Sequence, residues 1–443
     1  MDSLDKSLHD ACERTIQLAL QNGASSAEVY IATESGFSVT SRLEEIETLQ
    51  HHQDRGLGVT VYFEHRSGFV SSSDIDDAAI SEAINKACAI AKYTDEDPYN
   101  GLAEKEFLAT NIPDLDLYHP WDIKPNQGFD IAKECEQIAL SSDKRITNSE
   151  GATLSTYENY SIYANSNGFS EGYHRTSHNL DCTLIAQNGD SMQRDYYYTC
   201  ARDYNDLLPP KVVAQQAVEN TIHRLGSKPI KTQKAPVIFK AEIARGLIRC
   251  LTQAIQGSSI YRDASFLVDH LGKQIFPKKI NIYQRPHLPK GMGSKPYDAE
   301  GVATCDRDIV KDGILQSYIL NSYSARKLNL KTTGNAGGLQ NILIDSDDLT
   351  FSDLLKEMGT GLLITELLGQ GINIVTGDYS RGAFGYWIEN GQIQHAVEGI
   401  TVAGNLRDMF NGIVAVANDV DERGVVRSGS ILIDKMSIAA ATA

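Results

Sequence analysis

Apolar residues recur at helical spacing over residues 4–21, and Asn22-Gly23 supplies a helix stop. Residues 28–31, 37–40 and 58–63 carry β-branched and aromatic side chains between Gly-containing or charged turns, which predicts three strands of an antiparallel meander. Asp74 is placed to cap the next helix, whose apolar stripe comprises Ala79, Ile80, Ala83, Ile84, Ala87, Cys88 and Ile90. The order α-β-β-β-α is that of a layered α+β domain. A helix is expected over residues 131–140, then a β-rich stretch over 153–199 with turns at Asn165-Ser166-Asn167-Gly168 and Asn188-Gly189. Another helix begins after Pro209-Pro210 and ends by Gly226.

Residues 227–236 are polar, basic and bracketed by Pro229 and Pro236, so a domain boundary is expected there. This divides the chain into an N-terminal α+β domain with an antiparallel sheet, residues 1–228 in subregions 1–112 and 113–228, and a C-terminal β-rich domain, residues 229–443. The second is expected to be barrel- or sandwich-like with one main helix, residues 241–256, and otherwise mostly strands. Asp312-Gly313 marks a hairpin between residues 308–310 and 314–318, and a short helix over 351–358 ends at Gly359. The densest signal spans residues 372–395. An apolar strand, residues 372–375, enters a turn carrying Asp378 and Arg381; Asn390-Gly391 then joins Tyr386-Trp387-Ile388-Glu389 to a return strand. Asp378 and Arg381 are expected to organise that turn and to face a cavity or a partner, since a charged turn on a rigid strand suits binding.

A length of 443 residues favours two domains, and 41% hydrophobic residues suffice for packed cores. The formal charge of −17 repels a phosphate backbone and excludes direct, sequence-independent nucleic-acid binding. The first helix mixes acids into its apolar stripe, unlike a signal peptide, and no apolar run approaches the roughly 20 residues that span a bilayer. Seven scattered cysteines without a CxxC pair suit a reduced, cytoplasmic protein.

Catalytic chemistry is hard to find. His174, His178 and Cys182 lie four residues apart, but on an expected strand they stand roughly 13 Å apart per step, too far to share an ion. His51 and His52 point to opposite strand faces. Asp298 and Glu300 form a carboxylate pair in a Gly-bounded loop, suited to a cation or a peptide amine or simply to a solvated or salt-bridged loop. Tyr196-Tyr197-Tyr198 suit strand packing better than ligand stacking. No GxSxG, GxxxxGK[ST] or GxGxxG word occurs.

Several words fall together in a recognisable order: Met192-Gln193-Arg194-Asp195-Tyr196-Tyr197, Tyr297-Asp298-Ala299-Glu300-Gly301-Val302-Ala303-Thr304, Lys331-Thr332-Thr333-Gly334-Asn335-Ala336-Gly337-Gly338, GDYSRGAFGYWIENG from Gly377, and EGITVAGNL from Glu398. This set resembles the TldD/PmbA proteins, metallopeptidases also called modulators of DNA gyrase, and the PmbA (TldE) branch more than the TldD branch. In the TldD branch a zinc word, HExxxH, lies on the helix that opens the C-terminal domain. The matching helix here, residues 241–256, has no histidine; Glu242 is its only carboxylate and Cys250 its only soft ligand. The resemblance therefore implies a non-zinc subunit of a two-component metalloprotease, with no catalytic or metal residue of its own and zinc held by a TldD-like partner. It implies peptide or small unstructured protein substrates, with a peptide added along an open edge of the C-terminal sheet. It makes Asp378, Tyr379, Ser380, Arg381, Asn405, Asp298 and Glu300 candidates to face the peptide channel or the partner. A homodimer is expected when the partner is absent. The alternative is a non-catalytic homodimeric binding or regulatory protein.

Overall fold

Helix α1 (Ser3–Gln21) buries Leu8, Ala11, Cys12 and Ala19 against a long antiparallel sheet in the computed structural model, which describes residues 3–440. The first two expected strands are one, β1 (Ser26–Arg42). It runs unbroken through Gly36, where a Cβ would lie 2.0 Å from the Thr156 carbonyl oxygen of a neighbouring strand. Glycine here permits close pairing and does not mark a turn. The meander continues with β2 (Glu45–Phe63) and β3 (Arg66–Ser72). Residues 45–55 of β2 include no buried position, so no alternation betrayed that half of the strand.

Helix α2 (Asp77–Tyr93) is capped by Asp76, not Asp74: the Asp76 carboxylate accepts the Ala79 N–H at 2.8 Å, while Asp74 pairs with Arg55 at 3.2 Å. Its buried stripe ends on Ala91, leaving Ile90 exposed. Helix α3 (Pro125–Ser142), strands β4 (Ile146–Asn165), β5 (Ser170–Asn188) and β6 (Ser191–Ala201) and helix α4 (Pro210–His223) complete this half. The six strands pair in the order β3-β2-β1-β4-β5-β6, all antiparallel. Val29 and Ile31 of β1 pack with α1 and α2, and Phe37 and Val39 with α3 and α4. These positions share one parity on one strand, so the four helices cover a single face.

The second half opens with β7 (Gln233–Phe239), which begins inside the stretch expected to be linker, followed by α5 (Ala241–Ala254) and α6 (Gly257–Ile260). Residues 261–341 are irregular backbone with short strands β8 (Ile282–Gln284), β9 (Arg307–Lys311) and β10 (Ile314–Leu315) and helix α7 (Ser322–Lys327), not the run of strands expected. The β9–β10 hairpin turns on Asp312 and Gly313 with φ of 51° and 75°. Then come β11 (Ile342–Ile344), α8 (Phe351–Met358), β12 (Gly361–Leu368), β13 (Ile372–Asn373), β14 (Asp378–Glu389), β15 (Gln392–Asn405), α9 (Leu406–Asn411), β16 (Ile413–Val416), β17 (Val426–Arg427) and β18 (Ile431–Ala440). The pairings β12–β7, β7–β18, β18–β15, β15–β14 and β14–β12 return to their starting strand, so five strands close a barrel. Val237, Phe239, Leu362, Ile364, Ile431 and Ile433 join Ala244, Leu247, Ile248 and Leu251 of α5 in the main core. The alternate residues Ile238, Leu363 and Leu432 pack with Leu354 and Leu355 of α8.

The loop that carries Asp298 and Glu300 joins the halves. Tyr297 packs edge-on against Phe169 and Tyr173 and donates its hydroxyl to the Glu171 carbonyl at 2.6 Å. Asp298 is 1% exposed; its carboxylate accepts the amides of Glu300 at 2.8 Å, Val302 at 3.0 Å and Ala336 at 2.9 Å. Glu300 accepts the Ser322 amide at 2.9 Å. The pair is thus neither a solvated loop nor an open cation site: its oxygens satisfy main-chain donors that burial would otherwise strand. Burial, reinforced by the Glu300 charge, pushes the Asp298 carboxyl up to about 7 against the pull of those amides.

A folded pKa above the unfolded value means that Asp298 contributes most below the ordinary carboxylate range, and that this contribution is lost as pH rises through about 7. Asp298→Asn keeps the shape but replaces one acceptor with a donor, and is expected to cost about 1–3 kcal/mol in urea unfolding at pH 5. The gap from wild type should narrow toward pH 8; equal midpoints at every pH would refute the assignment.

Candidate functional site

Helix α5 is two-sided. Ala244, Leu247, Ile248 and Leu251 are buried, whereas Glu242, Arg245, Gly246 and Arg249, spaced one and two turns apart, line a cavity of about 950 Å³. The cavity lies between the two halves. Its other walls include Tyr196 and Tyr198 of β6, residues of α4, Glu366 of β12, Arg381 and Tyr386 of β14, His395 of β15 and Arg423.

Arg423 ties these walls together. Its guanidinium donates to Asp421 at 2.8 Å and to the Tyr198 carbonyl at 2.8 Å, approaches Glu242 at 3.5 Å, and sits over the rings of Tyr197 and Tyr198 at 4.8 and 4.5 Å. Burial opposes its charge, but Asp421 outweighs burial and raises its pKa. Arg245 adds a hydrogen bond to the Tyr198 hydroxyl at 3.1 Å and a contact with Asp421 at 3.6 Å. Arg224 bridges the halves behind the wall, reaching Asp195 at 3.1 Å and Glu366 at 2.6 Å and lying over Phe384 at 3.8 Å.

Of the residues expected near a channel, only Arg381 lines this cavity. It lies in strand β14, not in a turn, and it does not pair with Asp378. Its Nη2 donates to the Leu367 carbonyl at 3.1 Å, while its Nε is buried without a partner. Asp378 is exposed at the far end of the strand, where it accepts from Thr376 at 2.7 Å and Asn405 at 3.3 Å. Asn405 caps α9 through the Arg407 amide at 3.1 Å. Tyr379 is buried against Phe239, and Ser380 is exposed. The sheet β10-β9-β8-β11-β17 keeps short edge strands, β10 and β17, where a peptide strand of the kind expected could add, while barrel closure takes up the edges of β12, β7, β18, β15 and β14. The β6 edge is covered as well, since Asn220 and Arg423 occupy the carbonyls of Tyr196 and Tyr198.

A zinc ion needs three or four protein donors. The cavity face of α5 offers one carboxylate, Glu242, whose Oε1 lies 3.6 Å from the Lys240 ammonium and 3.5 Å from Arg423. A dication does not fit among these cations, and no group of three His, Cys, Asp or Glu is placed to hold a metal among the described residues. His174 bonds Asp5 at 3.1 Å; His178 bonds Thr156 at 2.8 Å and the His119 carbonyl at 3.0 Å. Sequence reading missed Arg245, Arg249, His395 and Arg423 and assigned the tyrosines to packing. The signal it held was the charged spacing along α5.

Profiles of the PmbA/TldA metallopeptidase domains match three stretches of the chain: domain 1 over residues 27–91, the central domain over 118–225 and the C-terminal domain over 232–440. The Metalloprotease PmbA of Escherichia coli O157:H7 is 46% identical over 434 residues, covering 98% of this chain and 96% of that protein. A Haemophilus influenzae protein named as a TldD homolog is 21% identical over 392 residues, 83% of this chain and 80% of its own. A crystal structure from Bacteroides thetaiotaomicron, named for modulation of DNA gyrase, superposes with a TM-score of 0.92 at 26% identity, covering 97% of this chain and 98% of that one. The chain belongs to the PmbA/TldD metallopeptidase family, on its PmbA branch.

Proposed function

We propose that this chain is the non-zinc subunit of a two-component metalloprotease that cleaves peptides or small unstructured proteins in the cytoplasm. A TldD-like partner bearing HExxxH supplies the zinc and the attacking water, and this chain completes the complex and forms part of the peptide channel. The observation that carries this reading is the cavity face of α5. The helix that would hold a zinc word presents Glu242, Arg245, Gly246 and Arg249 instead, in a chain that keeps the family's fold over 97% of its length.

The cavity supports the peptide side of the reading. Its volume of about 950 Å³ lies at the upper end of small-ligand sites, room for a few residues of extended chain. Tyr196 and Tyr198, stacked 6.3 Å apart, give it an aromatic wall, while the Arg and Glu groups of α5 offer both donors and an acceptor. The cytoplasmic assignment rests on free cysteines at all seven positions and on the acidic charge. No helix among the described residues is long and apolar enough to cross a membrane.

Peptidase activity is expected from the mixture of this chain with an HExxxH-bearing partner, and neither activity nor bound zinc from this chain alone. Elemental analysis finding about one tightly held zinc per purified chain would refute the reading, as would hydrolysis by the chain unaided. Related chains of one fold pair through equivalent surfaces, so a dimer is expected in the partner's absence, with an interface of roughly 1,600 Å² or more. Light scattering at micromolar concentration checks this, and a monomer that also fails to bind the partner removes the shared-site account.

A further inference from the structure

We propose that the cavity beside α5 is a carboxylate-binding site that holds the free C-terminus or an acidic side chain of a short peptide. That the ligand is a peptide rests on the function proposed above; that it carries a carboxylate follows from the cavity itself.

The chain has a formal charge of −17, yet this cavity reverses the sign, with six Lys and Arg against four Asp and Glu in its lining. Three of those acids are already held. Arg224 takes Asp195 and Glu366, and Lys240 and Arg423 flank one oxygen of Glu242. Among the described residues three of the cations, Lys228, Arg249 and Arg381, form no ion pair, and two of the three are arginines. The Arg249 side chain makes no hydrogen bond or ion pair among the described residues, although it stands two turns from Glu242 on the face that lines the cavity. Among the described residues Arg381 has no carboxylate partner, and its buried Nε is without an acceptor.

Two further orphaned atoms sit in the same lining. His395 Nε2 and the second oxygen of Glu242 are both buried and unpartnered among the described residues. Buried polar atoms in folded proteins nearly always find a partner, so three of them left open on one cavity, Arg381 Nε, His395 Nε2 and a Glu242 oxygen, with the exposed Arg249 guanidinium on the same lining, point to a ligand that completes them. A planar guanidinium presents a fork matched to a carboxylate, which a lysine cannot reproduce. The free Glu242 oxygen is an acceptor for a peptide N–H. The donors and this acceptor together complement one peptide residue: its carboxylate toward Arg249 and Arg381, its amide toward Glu242. The tyrosine wall favours an organic ligand over a bare inorganic anion.

Isothermal titration calorimetry on the full chain tests this with three hexapeptides: one with a free C-terminus and no acidic side chain, its C-terminal amide, and that amide with one internal Glu. One of the two carboxylate-bearing peptides is expected to bind at least about tenfold tighter than the plain amide, and which one identifies the source. Arg249→Ala should weaken that binding by about tenfold with an unchanged Tm, because the side chain is exposed and unpaired. Arg381→Lys should weaken it as well, and Arg249→Ala keeps the test readable even where that part-buried substitution fails to fold. Equal affinity for the three peptides, unaltered binding by Arg249→Ala, or displacement by inorganic phosphate as effective as by the tightest peptide would overturn the proposal. Carboxylate-selective binding without hydrolysis in the reconstituted complex removes the protease role and leaves this site standing; hydrolysis without carboxylate selectivity does the reverse.

Discussion

The Arg423 guanidinium is the contact on which the cavity depends. It joins the β6 edge of the first half, through the Tyr198 carbonyl, to Asp421 and to Glu242 of α5 in the second. Charge-assisted hydrogen bonds of this kind contribute about 1.5–3 kcal/mol each. The side chain of Asp421 is only 4% exposed, and removing its partner would leave a buried charge at a cost of about 3–5 kcal/mol, eased by Arg245 at 3.6 Å. Shape, charge and the union of the two halves thus share one node.

That node also decides what the site is not. An oxygen of Glu242 flanked by Lys240 and Arg423 has the wrong surroundings for a divalent cation, and Gly246, one turn along, has open space where a Cβ would stand. The same helix face therefore suits an anionic or dipolar ligand. The barrel fits this: once β12 pairs with β14, each of its five strands has a partner on both sides, which favours recognition by side chains lining the cavity over strand addition to the barrel. The family's metallopeptidase chemistry and this chain's cationic wall are compatible when the metal is carried by another subunit.

Local signals were legible in the sequence where the chain obeys local rules. The Asn390-Gly391 and Asp312-Gly313 hairpins, the helix ending at Gly359 and the amphipathic helices all follow from turn chemistry and periodicity. Errors arose where tertiary context overrides them. Gly36 and the exposed half of β2 hid continuous strands, and residues 261–341 fold as loops pinned by buried polar groups such as Asp298, which no periodicity encodes. The Asp378–Arg381 turn failed because strand alternation sends the two residues to different partners. Arg381 reached the cavity as a strand residue, while Arg423 lies beside α5 only after the barrel has brought residues nearly two hundred positions apart into contact.

The most direct measurement is a zinc-edge anomalous difference map from crystals of the reconstituted complex with a free-acid peptide bound. The account predicts a single zinc peak on the partner's HExxxH helix and a peptide carboxylate within hydrogen-bond distance of Arg249 and Arg381. A zinc peak on Glu242, or a peptide that leaves this cavity empty, would contradict it.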